Sequence, residues 1–188
     1  SQKHEWDKVK GRLKEIPFNE PVEQLLYLAS ERLSVNNKTI SKDKSFSTLF
    51  NCIKAATVFP LRDYFSKEFA NKLLPFDILS ASILTLALQK YGQNERSLFT
   101  FINSNDHLGI NYYNKQKNPY YNIICVYDYL IYNYYSFLST KYNPHYAQWA
   151  AIRTAMERAE GVLNNNIDDA LKLIKTIGLL NIFAAASA

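Results

Sequence analysis

The sequence contains few of the residues that nucleotide-binding loops and metal sites require. Only 5 glycines occur among 188 residues, and no two of them have the spacing of a G-x-x-x-x-G-K-[ST] phosphate-binding loop. A G-x-G-x-x-G fingerprint is also absent. The 3 histidines are isolated from one another and from the cysteines, so no zinc-ligand spacing occurs and no metal site is expected. These absences exclude a complete active site of either kind within this stretch of sequence.

Cysteines are equally scarce and long apolar runs are missing. The 2 cysteines, Cys52 and Cys125, lie in apolar segments far apart, which favours buried free thiols over a disulfide framework and indicates a cytoplasmic protein. No run of 18 uncharged apolar residues occurs, so no membrane span or membrane partner is expected. The charged residues 1–5 do not resemble a signal peptide.

The overall composition is that of a globular domain. Hydrophobic residues make up 47% and charged residues 21% of the chain, which differs from the composition of disordered proteins. A chain of 188 residues is long enough for one domain with a substantial core.

Apolar residues recur at helical spacing along most of the chain, which predicts an all-α protein. Such segments cover residues 22–33, 76–91, 120–139 and 146–160, and a final helix starts at Asn166. The 76–91 segment is apolar on all sides, so it should be the buried centre of the fold. The nearest approach to a strand is Leu13 to Phe18, which could pair with a sheet outside this chain. The expected fold is a multi-helix bundle of about seven to nine helices.

Asn-Pro pairs and one glycine mark the predicted helix ends. Asn118-Pro119 and Asn143-Pro144 each place an Asn cap before a Pro at the first helical position. Gly92 should cap the C-terminal end of the central helix. The polar stretches 34–45 and 103–118 are predicted to be exposed loops.

Three apolar stripes give the predicted core contacts of the second half of the chain. The stripe of the 146–160 segment consists of Trp149, Ile152, Met156 and Ala159. The stripe of the 120–139 segment consists of Ile123, Tyr127, Leu130, Tyr134 and Leu138. The stripe of the last helix consists of Ile167, Leu171, Ile174, Ile177 and Leu180.

Tyrosines crowd one third of the chain. The cluster consists of Tyr112, Tyr113, Tyr120, Tyr121, Tyr127, Tyr129, Tyr132, Tyr134, Tyr135, Tyr142 and Tyr146. One interpretation is base stacking on single-stranded nucleic acid. The favoured interpretation is an aromatic-rich helix that is packed on one side and carries amphipathic rings at the surface on the other. The net charge of +5 permits a nucleic-acid partner but is too modest to indicate one.

Three patches of the sequence resemble parts of a known ATPase superfamily. Glu5–Gln24 contains Gly11-Arg12-Leu13 and then Ile16, similar to the Gly-Arg-[Phe/Leu]-x-x-Ile that precedes the last strand of AAA-type cores. Residues 92–102, which include the letters NERSLF, are similar to a segment that follows an apolar helix in these proteins. Residues 173–182 are similar to a segment that leads into a winged-helix region. The chain thus resembles part of the large bacterial P-loop ATPases of AAA or STAND type, a group partly linked to phage defence.

The resemblance implies three segments. Residues 1–18 would be a remnant of the ATPase core edge or an N-terminal helix, residues 19–182 a helical lid-like domain, and residues 183–188 a connector or tail. ATP and Mg²⁺ would bind to the parent protein, because the P-loop is not in this chain, and the isolated chain should not hydrolyse ATP. The remainder of the ATPase core would be the partner, and a homo-oligomer is compatible with this role.

The resemblance also implies site residues. Arg12 and Arg96 would be arginine-finger or sensor residues in catalysis, since a guanidinium offers a planar fork of donors to phosphate oxygens. Asn94 and Arg96 would bind nucleotide at a helix N-terminus. The alternatives are an ordinary surface arginine at position 12 and a structural ion pair of Arg96 with Glu95 or Asp106.

A different class of function stays open. The chain has enough apolar helix to be a self-contained module that binds a protein or a nucleic acid and has no role in nucleotide chemistry.

Overall fold

The computed structural model describes residues 21–34, 44–59, 61, 65–92, 98–113 and 119–184, which form a bundle of helices. Eight helices lie in these ranges: α1 (Val22–Ser34), α2 (Lys44–Ala56), α3 (Lys67–Lys72), α4 (Ile78–Tyr91), α5 (Leu98–Asn103), α6 (Ile123–Leu138), α7 (Tyr146–Val162) and α8 (Ile167–Phe183). The predicted all-α class and number of helices are confirmed. Extended pairing within the described ranges is limited to an isolated bridge between Phe76 and Tyr121.

Helix α4 is the centre of the bundle, as its apolar sequence predicts. It packs against α1, α2, α5, α6 and α8, and its side chains are buried on almost every side. The hydroxyl groups of its three buried serine and threonine residues donate to carbonyl oxygens. Ser82 and Thr85 donate to the carbonyls of the preceding turn at 2.8 Å, and Ser80 donates to the Tyr121 carbonyl at 2.6 Å. The polar groups of the central helix therefore do not interrupt its packing.

An aromatic layer joins α4 and its preceding turn to α5 and α6. The rings of Phe101 and Tyr129 meet edge to face with centroids 4.7 Å apart, a geometry that aromatic pairs prefer. The Tyr121 hydroxyl donates to the Leu108 carbonyl at 2.8 Å, and the Tyr129 hydroxyl donates to Asp106 at 3.0 Å. These two bonds fix the irregular segment 104–113 on the bundle, where the sequence predicts an exposed loop. Residues 114–118 of that predicted loop lie outside the described ranges.

The first half of the chain contains two helices that the sequence patterns did not identify, α2 and α3. Helix α2 buries Phe46 and Phe50, which lie four residues apart on the face toward α4. The predicted loop 34–45 is wrong at its end, because α2 already begins at Lys44; residues 35–43 lie outside the described ranges.

Two helix starts differ from the predicted caps. Helix α6 begins after Asn122, whose side-chain oxygen accepts hydrogen bonds from the backbone of Ile124 and Cys125; Asn118 lies outside the described ranges. Helix α7 begins after His145, not after Asn143. The Asn143 side chain instead accepts a bond from the His145 backbone and donates to the Leu138 carbonyl, so it holds the turn between α6 and α7.

The predicted end of α4 is confirmed, whereas the predicted packing of α8 is correct only in part. Gly92 is the C-cap of α4, and its backbone N–H donates to the Leu88 carbonyl. The predicted α6 stripe is confirmed, since all five of its members are buried. The predicted α8 stripe is wrong at Ile177, which is exposed, while Leu179, Ile182 and Phe183 are buried.

The cysteines are free, as expected, but only partly buried. Cys125 is half-buried and Cys52 is exposed, because Cys52 lies on the side of α2 away from Phe46 and Phe50. In the described part of the chain, no helix combines the length and the apolar character that crossing a bilayer requires.

Candidate functional site

The residues predicted to act on nucleotide, Arg12, Asn94 and Arg96, lie outside the described ranges. Their roles therefore stay predictions. Asp106, one alternative partner of Arg96, is described, and its carboxylate accepts the hydrogen bond from Tyr129. The strongest candidate site in the described ranges lies elsewhere, at the C-terminal end of the bundle.

A groove of about 430 Å³ lies between α6, α7 and α8. It exists because α6 and α7 each pack more extensively on α8 than on each other. Four aromatic side chains line it: Tyr127, Tyr135, Tyr146 and Trp149. Ile131, Leu138 and Met156 add aliphatic surface. We call this cavity the aromatic groove; its volume and apolar walls are typical of ligand-binding clefts.

The helical repeat explains why these side chains converge. On α6, Tyr127, Ile131 and Tyr135 follow one another at intervals of four residues, so they share one face. On α7, Tyr146, Trp149 and Arg153 also recur at intervals of three and four residues. The two faces oppose each other across the groove, and Lys175 of α8 also lines it.

The floor of the aromatic groove is held by packing and by one buried hydrogen bond. Tyr127 and Trp149 are buried, with ring centroids 6.0 Å apart. The Trp149 indole N–H donates to the Tyr91 hydroxyl at 3.2 Å, which ties the floor to the central helix α4. Tyr135 and Tyr146 are exposed and form the rim. A preformed floor with amphipathic rings at the rim is suited to binding, because little ordering is needed when a ligand enters.

An ion pair crosses the groove between α6 and α8. The Lys175 ammonium nitrogen lies 2.7 Å from Asp128 Oδ1 and 5.1 Å from the centroid of the Tyr127 ring. The cation thus has a carboxylate partner and an aromatic face, and both interactions are favourable for a partly desolvated ammonium. The pair neutralises two of the charges that a ligand would otherwise meet.

The Tyr127 hydroxyl is a poor candidate for acid–base catalysis. Burial, together with the negative charge of Asp128, raises the pKa of Tyr127 to about 12, although Arg153 acts in the opposite direction. The phenol is therefore neutral at physiological pH, and a general base needs a pKa near the working pH. The chemistry of this groove favours binding over catalysis.

Arg153 is the cation at the rim. Its guanidinium makes two long contacts, one from Nη1 to the Tyr135 hydroxyl at 3.5 Å and one from Nε to the Glu157 carboxylate at 3.7 Å. Both the arginine and the glutamate are exposed, so this pair contributes little to stability. The fork of donors can therefore turn toward a carboxylate brought by a ligand.

The tyrosine cluster divides as the favoured interpretation predicted. Tyr121, Tyr127, Tyr129 and Tyr134 are buried, whereas five others are exposed: Tyr112, Tyr132, Tyr135, Tyr142 and Tyr146. The sequence patterns did not identify Asp128, Arg153 or Lys175. One signal was present, since Asp128 is the single charged residue of α6, and a lone carboxylate in an apolar helix usually has a partner.

Comparison of the chain with protein-family models, with curated proteins and with solved structures finds no match. The fold and the groove therefore define the class of the protein as an all-α helical bundle with an aromatic cleft.

Proposed function

We propose that the protein is a helical interaction module that binds another protein through the aromatic groove. The observation that carries the proposal is the combination of aromatic walls with charges that are paired inside the groove. Tyrosine and tryptophan are enriched at the centres of protein interfaces, because their large rings bury much surface and lose little side-chain freedom.

The charge pattern favours a protein over a nucleic acid. Arg153 and Lys175 are matched by Glu157 and Asp128, so the described residues that line the groove form no row of unpaired cations. Single-stranded nucleic acid is bound in grooves whose positive charge follows the phosphate backbone. An apolar segment of a protein meets no such requirement.

The shape and chemistry of the groove define the partner further. A cleft between helices suits an amphipathic helix that inserts apolar side chains at intervals of three and four residues. The buried floor formed by Tyr127 and Trp149 fits one aromatic or aliphatic anchor. An acidic residue next to that anchor would come within reach of Arg153 at the rim.

The experiment uses Trp149 as its reporter. The chain has 2 tryptophans, so in the variant Trp6→Phe all tryptophan emission comes from Trp149. A displayed library of random peptides is selected on this protein, and the recovered peptides are synthesised and titrated while Trp149 emission is recorded. We expect an apolar anchor flanked by an acid, and a saturable change in emission.

Two substitutions on α7 provide the matched pair. Ala150 lines the groove, so Ala150→Arg should weaken peptide binding by about tenfold or more, the scale of losing a central interface contact. Thr154, one turn further along α7, is exposed and lines no part of the groove, so Thr154→Arg should bind as the parent does. Equal affinity of both variants would show that the peptides bind elsewhere. Tight, salt-sensitive binding of a single-stranded oligonucleotide that Ala150→Arg abolishes would replace the protein partner with a nucleic acid.

The role predicted from the resemblance, a lid that contributes arginines to a P-loop ATPase, rests on residues outside the described ranges. No described contact bears on it, and it stays a separate prediction for the parent protein.

A further inference from the structure

The side of α7 and α8 that faces away from the aromatic groove carries a second, shallower groove of about 540 Å³. Ala147, Ala151 and Ala155 line it from α7, and Ile174 and Ile177 line it from α8. The alanines recur every four residues and form a low shelf, while the larger α8 side chains form a ridge beside it. We call this surface the outer face.

The ridge of the outer face is unusually exposed for apolar side chains. Ile177 is 63% exposed, and Leu173, one turn earlier on α8, is 62% exposed. Val162, at the end of the alanine row on α7, is 78% exposed. Neighbouring exposed apolar residues of this kind mark interaction surfaces more often than isolated ones do.

A glycine sets the height and register of this surface. Ala at position 178 would place its Cβ against Cδ1 and Cγ1 of Ile152, so Gly178 lets the two helices approach closely. This contact also aligns the antiparallel helices, because residue 178 lies level with residue 152. Each step back along α8 is matched by one step forward along α7, with a rise of 1.5 Å per residue. Ile177 therefore lies level with residue 153, midway between Ala151 and Ala155.

Charges flank the outer face in a complementary pattern. Arg158 lies one turn beyond Ala155 on the same side of α7. Asp168 and Asp169 occupy the first turn of α8, about one helical turn from the level of Arg158, and Asp169 also binds the Lys172 ammonium at 2.9 Å. Arg158 and the two aspartates are exposed.

We propose that a second copy of this chain covers the outer face. A rotation of 180° about an axis parallel to α7 and α8 lays the ridge of each copy on the shelf of the other. Ile177 of one copy then meets Ala151 and Ala155 of the second copy, and Arg158 comes within about one helical turn of the acidic first turn of the second copy's α8. The same contacts form twice, as a two-fold interface requires. The four helices form an antiparallel bundle, a common way for helix pairs to associate.

The other occupants fit less well. A nucleic acid or an anionic surface needs several cations. Of the α7 positions that continue the alanine row, 158, 159 and 162, only Arg158 is charged. The two-fold arrangement needs one cation and one acidic turn from each copy, and each copy provides both.

Sedimentation equilibrium of the full chain, over a hundredfold range of concentration, tests the proposal. We expect a reversible monomer–dimer equilibrium. Ala151→Glu and Ile177→Lys each put a charge into the apolar contact, so each should weaken association by about tenfold or more. Tyr132→Lys is the matched control, because Tyr132 on α6 is 61% exposed and lies away from this face; it should associate as the parent does.

Charge reversal tests the two-fold geometry itself. Arg158→Glu should weaken the dimer, and adding Asp168→Arg and Asp169→Arg in the same chain should restore part of the loss. Circular dichroism and thermal melting confirm that each variant is folded, which is expected because every substituted side chain is exposed. A chain that sediments as a monomer throughout, or a dimer that survives both Ala151→Glu and Ile177→Lys, overturns the proposal. Peptide binding in the aromatic groove lies on the opposite side of α7 and should persist in the monomeric variants.

Discussion

Asp77 places a carboxylate in the interior at the start of the central helix. The residue is buried, and its Oδ1 accepts a hydrogen bond from the Ser80 backbone at 2.7 Å. Burial raises the pKa of Asp77 from 3.8 to about 6, and this effect outweighs the hydrogen bonds with Ser80, which lower it. The position at the positive end of α4 also favours the charged form, so desolvation is the dominant influence.

The sign of the resulting pH dependence follows from proton binding. Between pH 3.8 and about 6 the folded chain holds a proton on Asp77 that the unfolded chain has released. The contribution of Asp77 to the free energy of unfolding therefore falls as the pH rises through this window, and that contribution is constant above it. The difference between the two pKa values is about two pH units, which corresponds to a loss of roughly 3 kcal/mol.

Asp77→Asn should remove this dependence and keep the helix cap, because Asn is also a good N-cap residue. Urea unfolding of both proteins is measured from pH 4 to pH 8, and the difference between their free energies of unfolding isolates Asp77 from the other acids. We expect the free energy of unfolding of Asp77→Asn to increase relative to that of the wild type as the pH rises. At neutral pH the gain should be below 3 kcal/mol, since a buried amide N–H₂ without a partner costs about 1–3 kcal/mol.

Asp77→Ala is the second variant. It should lose about 1 kcal/mol of cap stabilisation at every pH, and it should show the same change of slope as Asp77→Asn. A difference curve that is flat from pH 4 to pH 7, or one that slopes the other way, would refute the reasoning that desolvation controls this carboxylate.

Two further predictions concern packing. Gly178→Ala should destabilise the chain by up to about 2 kcal/mol, because overpacking against Ile152 exceeds the gain in helix propensity of about 1 kcal/mol; chemical denaturation should show that the cost is smaller in the Ile152→Val background, and equal costs would contradict the contact. Tyr129→Phe removes the hydroxyl bonded to Asp106 and should cost about 1–3 kcal/mol in a thermal melt, whereas Tyr132→Phe, at an exposed ring, should change nothing measurable.

The sequence predicted those parts of the fold that depend on periodic apolar spacing. Helix α6 is an example, since all five residues of its stripe are buried. Helix α3 was not identified because it has only 6 residues. Helix α2 was missed although Phe46, Phe50 and Ile53 recur at helical spacing along it. Ile177 was predicted to be buried because spacing alone cannot show that α8 approaches Ile152 closely at Gly178 and buries Leu179 instead.

The aromatic groove could be predicted only in part. The favoured interpretation of the tyrosines, packed on one side and amphipathic at the surface, was correct. The gap between α6 and α7 depends on how both helices pack on α8, and no local pattern contains that information. Likewise, the contact between Lys175 and Asp128 joins residues 47 positions apart, and such pairs are not evident from spacing.

Helix α7 forms a wall of both surfaces, with the aromatic groove on one side and the outer face on the other. Among the described helices it packs most extensively on α8, and of its own residues it buries only Trp149 and Ile152. Such an element should open by local unfolding at a lower free energy than the rest of the bundle, and its amides should exchange with solvent before those of α4. Because an opened α7 would lose both surfaces at once, a ligand on either side would shift the equilibrium toward the closed helix and thereby strengthen binding on the other side. Dimerisation and peptide binding would then be thermodynamically coupled without any direct contact between the two ligands.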